Sequence, residues 1–400
     1  MLLAMGFIAP MYCVYFFERF FYDDPPLWIN SILGLGSIYI FLNLKKDLKW
    51  FFGFFVGMLW FYWIGFSFVY FGFSYLVPVI AIAVACIYML IFACALWSEN
   101  LFYRGIALLA LSFVHPFGFD WMVVDSFFAY SYFGVAKYEF ALLILAMIFF
   151  KKYQLRGKIL GIASLVGALS FSTILAKPNE VLPFSVDLFE SKYSQDFKWQ
   201  RENAQKITEE MIAQIESAIL LGERLIVLPE TAFPFVLEKS YYFSKLKELS
   251  QKATLVIGSM RVGDGGVYNS IYIFQNQEVK VVDKVVLAPF GEEIPLPKWL
   301  ASHLERVFFG DTQEKMLSGK SFGIFQFDDF IFRPVVCYEG TSAKAYENAP
   351  KYMIVISNNA WFEGSIESSL QKNLMKYYAR KNQKVILHSS NGSRSFVIFP

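Results

Sequence analysis

The sequence predicts a multi-span α-helical membrane domain followed by an α/β layered domain. Three observations carry this. Of the 400 residues, 56% are hydrophobic and only 18% charged, against about 25% charged in a typical soluble protein. Of the 36 basic and 34 acidic residues, only 18 fall within 1–176. Beyond that point the pattern changes to short apolar strands alternating with amphipathic helices. We therefore place a membrane domain of about seven helices at 1–176 and a second domain at 177–400. A net charge of +2 gives no electrostatic support to a nucleic-acid partner.

A membrane-crossing helix needs about 20 mostly apolar residues. Seven such stretches run in order: 2–21, 27–44, 51–72, 75–97, 105–123, 133–150 and 159–176. The first has no basic start and no small-residue cleavage site, and more spans follow it, so it reads as retained rather than as a signal peptide. Basic residues cluster after alternate stretches: Lys45, Lys46 and Lys49, then Arg104, then Lys151, Lys152, Arg156 and Lys158. Short loops rich in Lys and Arg stay in the cytoplasm. The N-terminus is thus expected inside, and seven crossings put the second domain outside, in the periplasm of a two-membrane bacterium. Lys137 and Glu139 are expected to snorkel to the outer interface.

In the second half, 201–222 has a helical apolar period that stops at Gly222. LIVLPE (225–230) reads as a short buried strand and ATLVIGS (253–259) as another. VYNSIYIF (267–274) and EVKVVDKVVL (278–287) form a meander. FGIFQF (322–327) and FIFRPVVCYE (330–339) form a hairpin. YMIVISN (352–358), a helix over 364–382, KVILHSS (384–390) and SFVIF (395–399) close the chain. Mixed strands and helices with several buried runs indicate an α/β layered domain.

Three strand ends each deliver one reactive residue: Glu230, Lys284 and Cys337. Strand termini in α/β folds are where sites assemble. A carboxylate, an ammonium and a thiol are the set that acyl transfer through a thioester requires. A free thiol has a pKa near 8.5 and a free Glu near 4.3, so passing the proton from Cys to Glu costs roughly 5–6 kcal/mol unless the site intervenes. Burial must raise the Glu, and a nearby Lys⁺ must stabilise the thiolate and the later oxyanion. Glu is then the general base, Cys the nucleophile and Lys the electrostatic partner. Cys337 is the single cysteine of the second half, the others being Cys13, Cys86 and Cys94; an unpaired thiol in an oxidising compartment needs a reason to persist. No CxxC or Cys/His cluster is present, so a zinc site is not expected; no other metal and no cofactor is expected either. His388, in ILHSS, reads as a core or surface histidine.

PETAFPF (229–235), K-x-x-L-x-PFGE-x-IP (284–295), VCYEG (336–340) and SNNAWF (357–362) resemble the four signature blocks of the nitrilase superfamily, and in particular its membrane branch, the apolipoprotein N-acyltransferases. The resemblance covers most of 177–400 and implies a nitrilase-like αββα sandwich. It implies Glu230 as general base, Lys284 as oxyanion stabiliser and Cys337 as nucleophile. Glu292 would orient Lys284, and Tyr338 and Glu339 would position substrate or the cysteine loop. Trp199 and Trp361 would lie at the acyl-binding site. It further implies a monomeric inner-membrane acyltransferase working by a ping-pong route: a phospholipid donates its acyl chain to Cys337, and the α-amine of a diacylglyceryl-cysteine apolipoprotein accepts it. The sequence departs from the family pattern at Asn359, where an acid is usual, at Glu363, where Gly is usual, and at Lys372, where His is common. A helix over 294–309, with His303 on its polar shoulder, has an apolar spacing that suits either packing on its own domain or a lip lying on the membrane or on the acyl chain. The competing reading is a membrane-tethered amidase of the same superfamily, with water as final acceptor.

Overall fold

The computed structural model describes residues 1–175, 180–289, 291–293 and 315–400. The expected lip at 294–309, with His303, lies outside them.

Among the described residues, helical segments follow one another through the first part of the chain. Most are shorter than the apolar stretches they overlap. The first breaks at Ile8 into Leu2–Phe7 and Ala9–Phe20, with a proline in the first turn of the second helix. Then come Leu27–Asn43, Lys49–Phe61, Leu76–Ala95, Leu101–Leu111, Lys137–Lys152 and Leu155–Gly167. Among the described residues, Leu76–Ala95 and Leu101–Gly118 are long and apolar enough to cross a membrane on their own. The pair Leu27–Asn43 and Lys46–Phe61, bent by 106°, meets the same criterion jointly. Gly53 and Gly57 let their helix close on Leu76–Ala95: a Cβ at either would lie 2.7 Å from the Cβ of Phe92 or of Tyr88. Small residues four apart are the usual device for close helix approach in a membrane. Phe7 fills the centre of the bundle, edge-on to Phe52, Phe92 and Phe127.

The basic loops gather at one end of this bundle. Arg104, buried, donates to the carbonyls of Ser98, Leu42 and Leu44. Lys49 lies 4.4 Å from the Trp97 ring, and Lys151 bonds Asn43. The opposite end meets the α/β part: Trp121 Nε1 donates to Thr341 Oγ1 at 2.7 Å, Tyr338 to Asp120 Oδ1 at 2.5 Å, and Arg394 to the carbonyl of Tyr22 at 2.8 Å. Lys137 does not snorkel. It pairs with buried Asp125 at 2.9 Å and donates to the Ser112 carbonyl, because Asp125 would otherwise be an uncompensated buried charge. Glu139 caps the same helix by accepting from Ala136 N at 2.7 Å.

The α/β part is two six-stranded sheets packed face to face. The first holds β1 (Asp187–Leu188), β3 (Leu225–Val227), β5 (Thr254–Gly263), β6 (Gly266–Gln275) and β7 (Glu278–Asp283) in that order, with β4 (Phe233–Val236) on β5. The second runs β12 (Phe396–Ile398), β11 (Val385–Asn391), β10 (Tyr352–Asn358), β9 (Phe330–Val336) and β8 (Phe325–Phe327), with β2 (Glu190–Ser191) on β11. Since β1 and β2 are neighbours in sequence but lie in different sheets, the segment between them fastens the sandwich at one edge. Alternation builds the layers. Leu225 and Val227 face inward with Val336, Ile354 and Ile356, while Ile226 faces outward onto the helices Arg201–Leu220 and Tyr242–Leu249. On the far sheet, Val335, Met353 and Val355 face the helix Glu367–Asn382.

That last helix is covered on both sides, by the second sheet and by the membrane helices. It is polar in composition yet largely buried. Its polar groups are consumed by the junction. Arg380 donates to the carbonyls of Phe128, Ala129, Ser131 and Phe133 and to Thr173 Oγ1. Asn373 bonds the Ser126 carbonyl, Tyr377 bonds Asp125, and Ser369 bonds Glu18. Lys372 pairs with Asp24 at 2.8 Å.

Candidate active site

Glu230 stands three residues beyond the end of β3, after Pro229 has stopped the strand. Thr231, next in line, takes φ 49°, a strained value for a β-branched residue. The carboxylate is buried and accepts a 2.6 Å hydrogen bond from Asn269 Nδ2. Gly258 on neighbouring β5 permits this approach: a Cβ there would lie 2.7 Å from Glu230 Cα and from the Pro229 carbonyl.

Lys284 lies just past the end of β7, which stops at Asp283 and not at 287 because the ladder to β6 ends there. Its backbone is held by the Asn269 carbonyl (2.8 Å) and by Gly319 N (2.7 Å). Its ammonium is 1% exposed and lies 2.5 Å from Glu292 Oε2. Glu292 is itself tied down by Ala288 N at 2.8 Å and by Asn269 Nδ2 at 3.2 Å. Asn269 thus bridges the two carboxylates.

Cys337 follows β9 directly, at φ 51°, half-buried and without a disulfide. Glu339 fixes this turn. One carboxylate oxygen accepts from Val336 N (2.7 Å) and the other from Val285 N (2.6 Å) and Val286 N (2.9 Å). The nucleophile turn is thereby bolted to the segment that carries Lys284. Tyr338 turns away from the thiol to Asp120 and stacks on Phe119, so it anchors the cysteine loop to the membrane helices.

The charges are coupled. Burial raises Glu230 above the usual carboxylate range, opposed by the charge of Lys284 and assisted by that of Glu292. Burial likewise pushes the Cys337 thiol up, Glu230's charge adds to it, and Lys284 counters both. For Lys284 burial alone would lower the pKa, but the charges of Glu292, Cys337 and Glu230 outweigh it and hold the ammonium above its ordinary value. Glu339 is raised to about 7 by burial, against the three amides that favour its ionised form. A permanent cation therefore faces a thiol and a carboxyl that have both been moved up. Raising Glu230 narrows the gap that opposes proton transfer between free Cys and free Glu, burial of the Cys337 thiol widens it, and the charge of Lys284 is what counters that second effect.

Trp199 and Trp361 meet at the edge of the site, ring centroids 5.3 Å apart. Tyr70 and Phe71, from the turn after Lys49–Phe61, pack against both. Trp199 remains 47% exposed. The four rings make an apolar collar where the bundle joins the sandwich.

Sequence reasoning missed four polar residues here. Asn269 is the one buried amide inside the apolar strand β6, and that mismatch was its signal. Lys198, buried, donates to Thr231 Oγ1 at 2.8 Å and to the Glu230 carbonyl at 3.4 Å; burial lowers its pKa to about 8. Gln371, one position before Lys372, is the side chain of the last helix that points to the thiol, with Nε2 3.9 Å from Sγ. Glu367, one turn earlier, is 2% exposed. Nothing local in the sequence marked the last two, since their burial comes from the junction. Among the described residues, no group of three or more His, Cys, Asp or Glu side chains is arranged to hold a metal.

Residues 1–171 match the family model described as the apolipoprotein N-acyltransferase integral membrane domain. The apolipoprotein N-acyltransferase of Helicobacter pylori is 41% identical over 403 residues, covering 100% of this chain and 95% of its own. That of Helicobacter hepaticus is 41% identical over 400 residues, covering 98% and 99%. Among solved structures, XC1258 from Xanthomonas campestris, a CN-hydrolase superfamily protein, is 14% identical with a TM-score of 0.39, covering 52% of this chain and 75% of that one.

Proposed function

The chain belongs to the apolipoprotein N-acyltransferase family, and from that membership we propose that it N-acylates lipoproteins by a ping-pong route through a thioester on Cys337. Glu230 takes the thiol proton, and the thiolate attacks the ester carbonyl of a phospholipid. The oxyanion that forms lies beside the Lys284 ammonium, whose charge is secured by Glu292. Collapse breaks the ester C–O bond, Glu230 returns the proton to the departing lysophospholipid, and the acyl group stays on sulfur. In the second half the uncharged α-amine of a diacylglyceryl-cysteine apolipoprotein attacks the thioester. Glu230 removes the proton shed on nitrogen, and the C–S bond breaks to leave an amide and the thiolate, which Glu230 reprotonates.

The observation that carries this reading is that strand ends of two different sheets deliver a carboxyl, an ammonium and a thiol to one place: Asn269 bridges Glu230 to the Glu292 that pairs with Lys284, and Glu339 ties the Cys337 turn to the Lys284 segment. Trp199 and Trp361 receive the acyl chain in the collar. Tyr338 and Glu339 hold the nucleophile turn. In this reading 1–176 is a multi-pass inner-membrane domain and 177–400 a periplasmic catalytic domain, because the basic loops lie at the end of the bundle away from the sandwich. Both substrates are lipid-anchored, so a site at the outer leaflet raises their effective concentration.

Incubating the purified protein with phospholipid, followed by peptide mass spectrometry, tests this. One acyl chain on Cys337 is expected, lost in Cys337→Ala and discharged by a diacylglyceryl peptide to give its N-acylated form. Absence of the adduct, or release of free fatty acid alone in the presence of the peptide, overturns it in favour of a hydrolase.

A further inference from the structure

The last helix contributes a carboxyl to the nucleophile pocket that the Glu230, Lys284, Cys337 chemistry does not use. Glu367 opens Glu367–Asn382 and is 2% exposed. A carboxylate in a first helical turn is ordinarily solvated and ionised, favoured there by the helix dipole. This one has been taken out of water, and its Oε2 has no hydrogen-bond partner. An orphaned buried carboxyl oxygen is costly, and its persistence points to a partner that arrives with a substrate.

Two facts place it beside the chemistry. Gln371, one turn along the same helix face, reaches Cys337 Sγ. The charge of Glu367 also acts on the Cys337 thiol, and that of Glu230 acts on Glu367. Neither donor ester nor acyl chain brings a hydrogen-bond donor for a carboxylate. The acceptor does, since it enters as an ammonium and must lose a proton before it can attack.

We propose that Glu367 is a second catalytic carboxylate, which binds the α-ammonium of the incoming lipoprotein and takes its first proton. The inference rests on the acyl-transfer reading above. The carboxylate accepts an N–H from the ammonium, and the proton passes to Oε2, leaving the amine lone pair free beside the thioester. Glu230 then removes the second proton as the C–N bond forms and the C–S bond breaks. The proton held on Glu367 leaves to water once the amide has departed. Burial, reinforced by the charge of Glu230, raises Glu367 to about 8. Raising the carboxyl toward the range of a free α-amine, about 7.7–8.0, lowers the free-energy cost of the transfer.

The two half-reactions separate the roles. In Glu367→Gln, discharge of acyl-enzyme isolated after loading, so that any change in the loading rate drops out, is expected to slow about 100-fold with a diacylglyceryl peptide. Hydroxylamine, uncharged at neutral pH, is expected to discharge the acyl-enzyme of variant and wild type alike. Glu367→Asp, which keeps the charge, is expected to recover part of the loss. Peptide discharge at the wild-type rate in Glu367→Gln, a parallel fall in hydroxylamine discharge, or equal losses in the Gln and Asp variants overturns the proposal. A test on the wild-type protein is independent of variant folding. A diacylglyceryl peptide with an N-terminal dimethylamine is expected to compete at least about tenfold better than its des-amino counterpart, and equal competition overturns the proposal. Wild-type protein that never loads Cys337 overturns the underlying reading instead.

Discussion

At Lys284 two opposing effects meet. Burial favours the neutral amine, and three negative partners favour the cation, Glu292 foremost. The partner decides the outcome, so removing it should expose the burial effect. Glu292→Gln is expected to slow acyl loading of Cys337 by about 10²–10³-fold. The deficit should deepen as pH rises, because the buried amine then loses its proton within the assay range, whereas wild type stays charged. Loading rate against pH measures this, and a parallel, pH-independent offset would contradict it. His388 shows the complementary case. It is buried, its Nε2 lies 2.9 Å from Ser357 Oγ, and burial, aided by the charge of Lys372, lowers its pKa from 6.5 to about 3. A base with a depressed folded pKa contributes stability above its unfolded value, and that stability is lost as pH falls. Wild type should therefore lose stability as pH drops from 6.5 toward 3, and the gap between it and His388→Gln should shrink over the same interval. Thermal unfolding of the detergent-solubilised pair reads this directly; a constant gap would refute it.

The strand ends supply direction for the site, and their close spacing supplies its tolerance. Gly258 lies where β5 passes under Glu230, with backbone atoms 2.7 Å from any added Cβ. Backbone cannot yield as a flexible side chain can. Gly258→Ala should therefore displace Glu230 and cut turnover by at least about 10²-fold, while far-UV circular dichroism stays close to wild type. The elements themselves were largely legible from sequence. The strand expected at 352–358 is Tyr352–Asn358, and the helix expected over 201–222 is Arg201–Leu220, because apolar period and stop residues are local. Strands β1, β2 and β4 were not foreseen. They are two to four residues long, too short for a period to register, and they exist through pairing with β3, β11 and β5. The helix Glu367–Asn382 was foreseen as a helix, but its buried polar face was not, since its partners are loops some 250 residues distant in sequence, such as the Phe128 and Ser126 carbonyls.

Over the whole molecule, the basic loops at one end and the sandwich at the other give a testable orientation. In a background lacking Cys13, Cys86 and Cys94, a cysteine at Leu221, exposed at the end of Arg201–Leu220, should react with a membrane-impermeant maleimide added to cells with a permeabilised outer membrane. One at Lys46, in the basic loop, should react only after the inner membrane is opened. The reverse pattern would turn the protein over and end the periplasmic assignment. The junction also fixes the nucleophile relative to the bundle. Tyr338, next to Cys337, is held by Asp120, and the collar is shared between Tyr70 and Phe71 on one side and Trp199 and Trp361 on the other.

Which residues can do chemistry and which stretches avoid water can be read along the chain, because side-chain acidity and apolar periodicity are properties of a residue and its near neighbours. Packing settled that Asn269 bridges Glu230 and Glu292, that Gln371 reaches the thiol while Lys372 pairs with Asp24, and that Glu367 is stripped of solvent. Those outcomes depend on which surfaces close over one another, and burial is a property of the packed whole.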